Sequence, residues 1–412
     1  MRRRTRWQWS CVRRLRVALI GAGRRARTHL PVITALKDIF DLTAICDILP
    51  EVASKTAQKY GVSPYSDLRR MLREEELDLV DVVVPVPAHH VVSGVCMEEG
   101  VNVLCETMIA PTLMLADYMK KTAKKNDVKL EISENKIKMP NELIKQKVLD
   151  RGLVGQVIRT YVVNASGHPM TVLRWYSKGE AKSVICFTQK KEIPTVRDSK
   201  GRIQTSDNWD LAIVDFDNGV RGVYEYSNLV HGMGTLGRGR LEADGRGRLE
   251  IDGTKGTMYN NDLYLTSDKD RLRGGKATRF PIQRFKTRID GAEVLEKLEI
   301  DTDPKVIWDN PFSMHPLSSL GVSVAYKLMS IANAVVNDTE PEYGALQARK
   351  DVELQLAAKE SASKGSIPIS LPLTTETEEE KKIHENYLAQ YGHGPLEIGE
   401  LFQKMSSPSE AY

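Results

Sequence analysis

The residues whose types and spacing most directly suggest chemistry are Gly21, Ala22, Gly23 and Asp47, all within the stretch Arg16 to Asp47. Val17 to Ile20 is a short apolar run, as a strand buried on both faces needs, and it stops at the glycine pair. Gly21 permits a tight turn, and Gly23 removes the side chain that would keep a pyrophosphate from the backbone. The helix that follows points its free N–H groups and positive dipole end at that anion. Ala26 stands at the third position of the pattern, a tolerated variant. Leu30, Ile33 and Leu36 then recur at helical spacing, and Leu42 to Cys46 reads as a second strand ending in Asp47. An acid roughly 20 residues past the turn is the group that binds adenosine ribose hydroxyls. A carboxylate there repels the extra phosphate of NADP and so favours NAD, while Arg24 and Arg25 soften that preference and keep NADP open. A glycine-rich turn by itself also occurs in domains that bind no dinucleotide. The order of strand, turn, helix and acid is what points to a cofactor.

These residues need a scaffold, and the alternation past Asp47 supplies one. Pro50 to Tyr60, Ser66 to Arg73, His89 to Glu99 and Thr112 to Lys125 read as helices; Leu79 to Val84, Val101 to Cys105 and Val128 to Ile132 read as strands. Strands separated by helices imply a parallel sheet covered on both faces, with the ligand crevice at the carboxyl ends of the strands. After about residue 140 the rhythm changes. Ala212 to Tyr226 alternates apolar and polar residues around Asn218-Gly219, a tight-hairpin signal, so a second, mostly antiparallel sheet is expected. The near-duplicates GRGRLEAD and GRGRLEID between Gly237 and Gly253 read as a repeated strand, since no aromatic residues are interleaved for base stacking. Ala345, Ala348, Val352 and Leu356 mark a late helix, and Ile367 to Leu373 a terminal strand.

The fold class expected is therefore an α/β dinucleotide-binding domain joined to an α+β domain with a large open antiparallel sheet. The boundaries are a basic disordered arm at 1–15, the cofactor domain at 16–137, the second domain at 138–373 and an acidic helical tail with a loose end at 374–412. The chain of 412 residues carries 59 basic and 55 acidic side chains, a net charge of +4 that argues for no nucleic-acid partner. Five cysteines (Cys11, Cys46, Cys96, Cys105 and Cys186) show no metal-ligand spacing, so no metal is expected, and a reducing cytoplasm is the expected compartment. The basic start is followed by no apolar leader segment, and no apolar run is expected to reach the length of a membrane span.

With these residues in hand, the chain resembles the Gfo/Idh/MocA oxidoreductases, named for glucose-fructose oxidoreductase, inositol dehydrogenase and a rhizopine-catabolism protein. The match runs over roughly Arg16 to Leu373. VDVVVPVPAHH resembles the family's third strand and its exit, with Pro85 and His89 in the expected places. GVNVLCETMIAPT resembles a segment ending in Glu-Lys-Pro: Glu106 is kept, but Thr107 replaces the lysine and Met108 the proline. KLEISENKIKMP puts Asn135 where an amide reaches towards the cofactor, and SGHPMTVLRW resembles the histidine motif, with His168 kept and Asn164 and Thr171 at its two aspartate positions. IDGTKGTMY at 251–259 and YGALQARKDVELQLAAKESASKG at 343–365 also fit.

The resemblance implies hydride transfer between a nicotinamide and a sugar, inositol or related polyol, and a homodimer or homotetramer formed through the second sheet. A general base needs a pKa near working pH, which Thr107 cannot have, and His168 becomes the leading catalytic candidate. Cofactor contacts are expected from the glycine turn, Arg24, Arg25, Asp47, Pro85, His89, Glu106, Thr107 and Asn135. His89 either frames the nicotinamide or caps the following helix; Glu106 either bonds a ribose hydroxyl or caps the helix after Pro111. Substrate contacts are expected from Lys136, Asn164, Thr171 and Trp209, with Lys136 and Lys138 alternatively solvated and Trp209 alternatively core. Two other functions fit the same fold: a regulatory protein that binds NAD without redox chemistry, and a glycosidase-like enzyme using tightly held NAD transiently.

Overall fold

The structure, a computed structural model, describes residues 13–163, 168–197, 203–228 and 248–407. Its first layer is a six-stranded parallel sheet in the order β3-β2-β1-β4-β5-β6. The strands are β1 (Leu15–Ile20), β2 (Phe40–Cys46), β3 (Ser63–Tyr65), β4 (Leu79–Val82), β5 (Asn102–Glu106) and β6 (Leu130–Ser133). They are connected through α1 (Ala26–Ala35), α2 (Pro50–Tyr60), α3 (Leu68–Glu74), α4 (His89–Glu98) and α5 (Leu113–Lys125). The short β3 was not foreseen. It has only three residues, none fully buried, so no apolar run announces it.

Side chains alternate across β1 with the two-residue period of a strand, which is why an unbroken apolar run suits a sheet covered on both faces. Val17 and Leu19 enter the core shared with α1. Ala18 and Ile20 enter the opposite core, shared with α4 and α5. Local sequence sets the helix ends: Pro50 starts α2 at its first turn, Gly61 closes it at φ 67°, and Asp67 caps α3 by accepting from Arg70 N at 3.1 Å.

The chain then passes through α6 (Pro140–Asp150) into a nine-stranded, mostly antiparallel sheet. Its strands are β7 (Val157–Val163), β8 (Ala181–Arg197), β9 (Ile203–Phe216), β10 (Arg221–Ser227), β11 (Arg248–Gly253), β12 (Gly256–Tyr259), β13 (Asp262–Leu265) and β14 (Thr278–Pro281), with α7 (Pro169–Ser177) and α8 (Asp268–Arg273) between them. The expected hairpin forms: β9 and β10 pair antiparallel around Gly219 at φ 82°. Of the duplicated arginine-rich segment, the second copy contributes β11, and the first lies outside the described residues. A three-stranded sheet follows, β15 (Gln283–Ile289), β16 (Ala292–Ile300) and β17 (Val306–Asp309), then α9 (Ser319–Asn337) and α10 (Ala345–Ser363). The terminal strand shrinks to β18 (Ile369–Ser370), which pairs with the edge of β8 before Pro372 removes a donor from the chain.

The helical segment expected after residue 374 forms α11 (Glu378–Tyr391) and α12 (Ile398–Met405), which fold back on the first domain and bury Tyr387, Tyr391, Leu401 and Phe402 in the core over α4 and α5, while the end expected to be loose, beyond 407, lies outside the described residues. Burial of a Leu or Phe is worth about 1.5–3 kcal/mol, enough to hold such a segment. One expectation is corrected: an apolar run does reach the length of a membrane span, because α9 is long and apolar enough by length and composition. Here it packs against α1, β5 and β6, with Lys327 and Glu131 fully buried and 3.3 Å apart.

Burial raises the Glu131 carboxyl above its ordinary range, Lys327 counteracts that, and Glu131 Oε2 has no hydrogen-bond partner. Removing the ammonium alone leaves a buried charge uncompensated. Lys327→Met should therefore lower unfolding free energy by about 3–5 kcal/mol in urea titrations, and Lys327→Met with Glu131→Leu should recover most of it. A single variant as stable as the parent would mean that the pair carries no such role.

Candidate active site

The site assembles where the strands of the parallel sheet end. After β1 the chain turns at Gly21, whose φ of 94° disfavours any side chain and whose Cβ would meet Val83 O at 2.9 Å. A Cβ at Gly23 would meet nothing within 4 Å, so the turn opens on to free space at the start of α1. After β2, Asp47 Oδ2 accepts from Ala22 N at 2.7 Å, and its Oδ1 accepts from Leu49 N at 2.9 Å. Gly21, Gly23, Asp47 and Pro85 line one cavity of about 300 Å³. The turn, the helix N-terminus and the acid fit the pyrophosphate and ribose of a dinucleotide. Arg24 is exposed beside it.

Arg25, His89, Glu106 and Asn135 have different employment from the one expected. Arg25 Nε donates to Glu106 Oε1 at 2.6 Å, and the same oxygen lies 2.8 Å from His29 Nε2 and accepts from Asn135 Nδ2 at 3.3 Å. His29 Nδ1 in turn lies 2.7 Å from Asp81 Oδ2. This buried set was missed, although Asp81, the lone acid in the apolar run LVDVVV, was the available signal. Burial pushes His29 down, but Asp81 and Glu106 outweigh it and raise the imidazole to about 9. Burial also opposes ionisation of Glu106, yet His29 and Arg25 hold it at about 2. Glu106 is therefore held by Arg25 and His29 and does not cap the next helix. Leu113 N, at the start of α5, is satisfied by Glu380 Oε1 of the tail at 2.8 Å. Asn135 also donates to Ser133 O at 2.9 Å. His89 lies 2.8 Å from Met108 O through Nδ1 and 2.9 Å from Val84 O through Nε2, so it ties two loops together in the interior rather than framing a ligand. Burial lowers its pKa.

A second cluster forms around His168, at the N-terminus of α7. Its Nδ1 lies 2.7 Å from Glu134 Oε2. The same oxygen accepts from Thr107 Oγ1 at 3.2 Å and lies 3.4 Å from Thr171 Oγ1, and Lys136 N donates to Glu134 Oε1 at 3.0 Å. Burial acts to lower His168, but Glu134 prevails and its pKa is raised. With Nδ1–H committed to the carboxylate, the neutral ring carries its lone pair on Nε2, the tautomer a general base needs. Thr107 thus belongs with His168 rather than with the glycine turn. Thr171 Oγ1 also donates to Asp351 Oδ2 at 2.8 Å, and Arg174 and Tyr343 bond the same carboxylate. His168, Glu134, Thr107, Thr171 and Asp351 line one small cavity of about 30 Å³.

Glu134 and Asp351 were not foreseen. Glu134 adjoins Asn135 at the end of β6 and had a positional signal, whereas Asp351 comes from α10, far along the chain. Lys136 pairs with Glu142 at 3.6 Å and, although close enough to oppose protonation of His168, does not line its cavity. Lys138 is buried, bonded to Glu342 with its ammonium 5.5 Å from the Trp175 ring centre, and is neither solvated nor in the crevice. Trp209 donates to Glu225 Oε1 at 3.2 Å across β9 and β10 and lines neither cavity. Asn164 lies outside the described residues.

Fold and site together define a two-domain protein with a dinucleotide cradle in one domain and a histidine–carboxylate pair at its junction with the other. Residues 15–133 match the model of the oxidoreductase family with an NAD-binding Rossmann fold, GFO_IDH_MocA. A D-apiose dehydrogenase of Paraburkholderia graminis is 33% identical over 127 residues, 30% of this chain and 33% of the relative. A levoglucosan dehydrogenase of Pseudarthrobacter phenanthrenivorans is 24% identical over 172 residues, 39% of this chain and 44% of the relative. The chain thus spans a third to less than half of the length of these relatives. Among solved structures, a levoglucosan dehydrogenase in complex with NADH and levoglucosan superposes with a TM-score of 0.63 at 17% identity, covering 88% of this chain and 100% of that one. An oxidoreductase from Agrobacterium radiobacter in complex with NAD+, L-tartaric acid and magnesium gives 0.62 at 20%, covering 87% and 98%. These likenesses establish the fold across both domains.

The charge set beneath the crevice has a pH signature. A histidine raised to about 9 stabilises the fold fully below its unfolded pKa of about 6.5, and that contribution is lost as pH rises through about 9. Denaturant titrations should show the parent losing about 3 kcal/mol across that window relative to His29→Gln. Parallel pH dependences would remove the charged His29.

Proposed function

We propose that this protein is an NAD-dependent dehydrogenase or reductase that oxidises a secondary hydroxyl of a sugar or polyol, or reduces the matching ketone, with His168 as the proton-handling group. The observation that carries the reading is the pairing of His168 Nδ1 with the buried carboxylate of Glu134, within a fold whose crevice has the glycine turn and acid of a dinucleotide site. A nicotinamide bound there would supply the hydride acceptor or donor. The sugar and polyol class is supported by the relatives, among them dehydrogenases of D-apiose, levoglucosan and D-glucosides.

In the oxidation direction, His168 Nε2 takes the hydroxyl proton, and Glu134 stabilises the imidazolium that results. Thr107 donates to the acid and keeps it aligned with the ring, while Thr171 is held by Asp351. Thr107 stands where the family pattern expects a lysine, so the proton load moves to the histidine. The cavity beside His168, about 30 Å³, holds one or two waters, so a sugar enters only by displacing lining side chains such as Met108 or Gln355.

Absorbance assays for NADH formation across sugars and inositols, with calorimetric titration of NAD, test this reading. His168→Ala should lower turnover by about 10²–10⁴ while NAD affinity stays near the parent value. Glu134→Gln should lower turnover and shift the ascending limb of the oxidation profile to lower pH, because the charge that raises His168 is gone. Parent-like turnover in His168→Ala would place the base elsewhere.

Asp47→Asn should weaken NAD more than NADP, since it removes the charge that repels a 2′-phosphate. An unchanged ratio of the two dissociation constants would take cofactor selection away from this residue.

A further inference from the structure

We propose that the C-terminal helix α12 is the outer wall of the cofactor site, with Phe402 and Met405 packing against the adenine ring. The inference rests on the reading of the crevice as a dinucleotide site and adds a binding element from the far end of the chain.

The cavity of about 300 Å³ that begins at Gly21, Gly23 and Asp47 is bounded elsewhere by Phe402, Met405 and Ser406. Its inner side is apolar, formed by Leu49, Val52, Leu68, Val84 and Ala88. A carboxylate bonded to the ribose hydroxyls fixes where the base must lie, beyond Asp47 and away from the turn that takes the pyrophosphate. A flat aromatic base is best held between apolar or aromatic faces with its polar edges left to water. The cavity offers that arrangement only because α12 closes it. An occupant without a ribose or phosphate would leave Asp47 and the open glycine turn unused.

The wall is built rather than incidental. Along α12, Leu401 and Phe402 are buried while the neighbouring Gln403 and Lys404 are exposed, so the helix has its apolar side inward. The Arg69 guanidinium, from α3, lies 5.0 Å from the Phe402 ring centre and holds the ring in place. The tail is also fastened to the loop that lines the cavity: Tyr387 OH donates to Pro87 O at 2.7 Å, and His90 Nε2 lies 2.9 Å from Pro395 O. These two anchors flank Ala88. Cofactor-lining loop and tail therefore form one connected surface, and a ligand that orders one orders the other.

The test is calorimetric titration of the full chain, Phe402→Leu and Phe402→Trp with NAD and with ADP-ribose, with indole fluorescence recorded for the tryptophan variant. Leucine keeps an apolar, somewhat smaller side chain and removes the ring together with its contact to Arg69. Phe402→Leu should weaken both ligands about fivefold, the scale of one aromatic stacking contact. Phe402→Trp should bind as tightly as the parent, and its emission should change on saturation with ADP-ribose beyond any change seen in the parent. Parent-like affinity in Phe402→Leu, or an emission change no larger than the parent's, would overturn the assignment while leaving the dinucleotide reading intact. A parent that binds neither NAD nor ADP-ribose would overturn the dinucleotide reading, and this wall with it.

Discussion

The imidazole of His29, held between the carboxylates of Asp81 and Glu106, is the interaction on which the rest of the site depends. A sheet covered on both faces gives its ionisable groups almost no water, so each buried acid must find a cation or a donor within the protein. His29 serves two at once, and Arg25 completes the neutralisation of Glu106. Because His29 and Arg25 lie in α1 and at its start, whereas Asp81 and Glu106 belong to β4 and β5, charge compensation fixes the helix against the strands. The glycine turn that opens towards the crevice leads into that same end of the helix. Its geometry is thereby tied to those ion pairs.

The same logic governs His168. The sequence around it lacks the two flanking acids expected from the resemblance, and in one dimension the histidine looks unsupported. In three dimensions the acid arrives from β6, as Glu134, and Asp351 arrives from α10 to hold Thr171. A carboxylate on Nδ1 orders the ring and raises its pKa regardless of which segment delivers it. The threonine at the lysine position fits this rearrangement, because its hydroxyl donates to Glu134 and adds no competing positive charge. A lysine there would bring a second cation to an acid already bonded to the imidazole.

The C-terminal segment shows how little a tail's composition says about its role. Thr377 and Glu380 form a capping box that starts α11, a signal readable in the sequence, yet Glu380 also accepts from the first turn of α5. One side chain therefore caps its own helix and a helix of the cofactor domain. Tyr387 and His90 make the tail continuous with the loop after β4. The core on that face of the sheet is incomplete without residues from the last tenth of the chain.

What the sequence determined by itself was whatever depends on neighbours along the chain. The alternation of apolar runs and helical periods gave five of the six parallel strands. Asn218-Gly219 gave the hairpin of β9 and β10, and the glycine turn with Asp47 gave a crevice whose lining residues converge as expected. Backbone conformation and strand period are local properties, so one dimension suffices to read them. The tertiary structure alone decided the partners of charged side chains. Arg25 and Glu106 were read as ligand contacts and are instead paired with each other, His29 and Asp81 went unnoticed, and Lys138 is buried against Glu342. The support of His168 by Glu134, and the closure of the crevice by Phe402, also required the fold. Electrostatic pairing and burial depend on separation in space, and residues such as Thr171 and Asp351, or Arg69 and Phe402, are brought together only when distant segments pack.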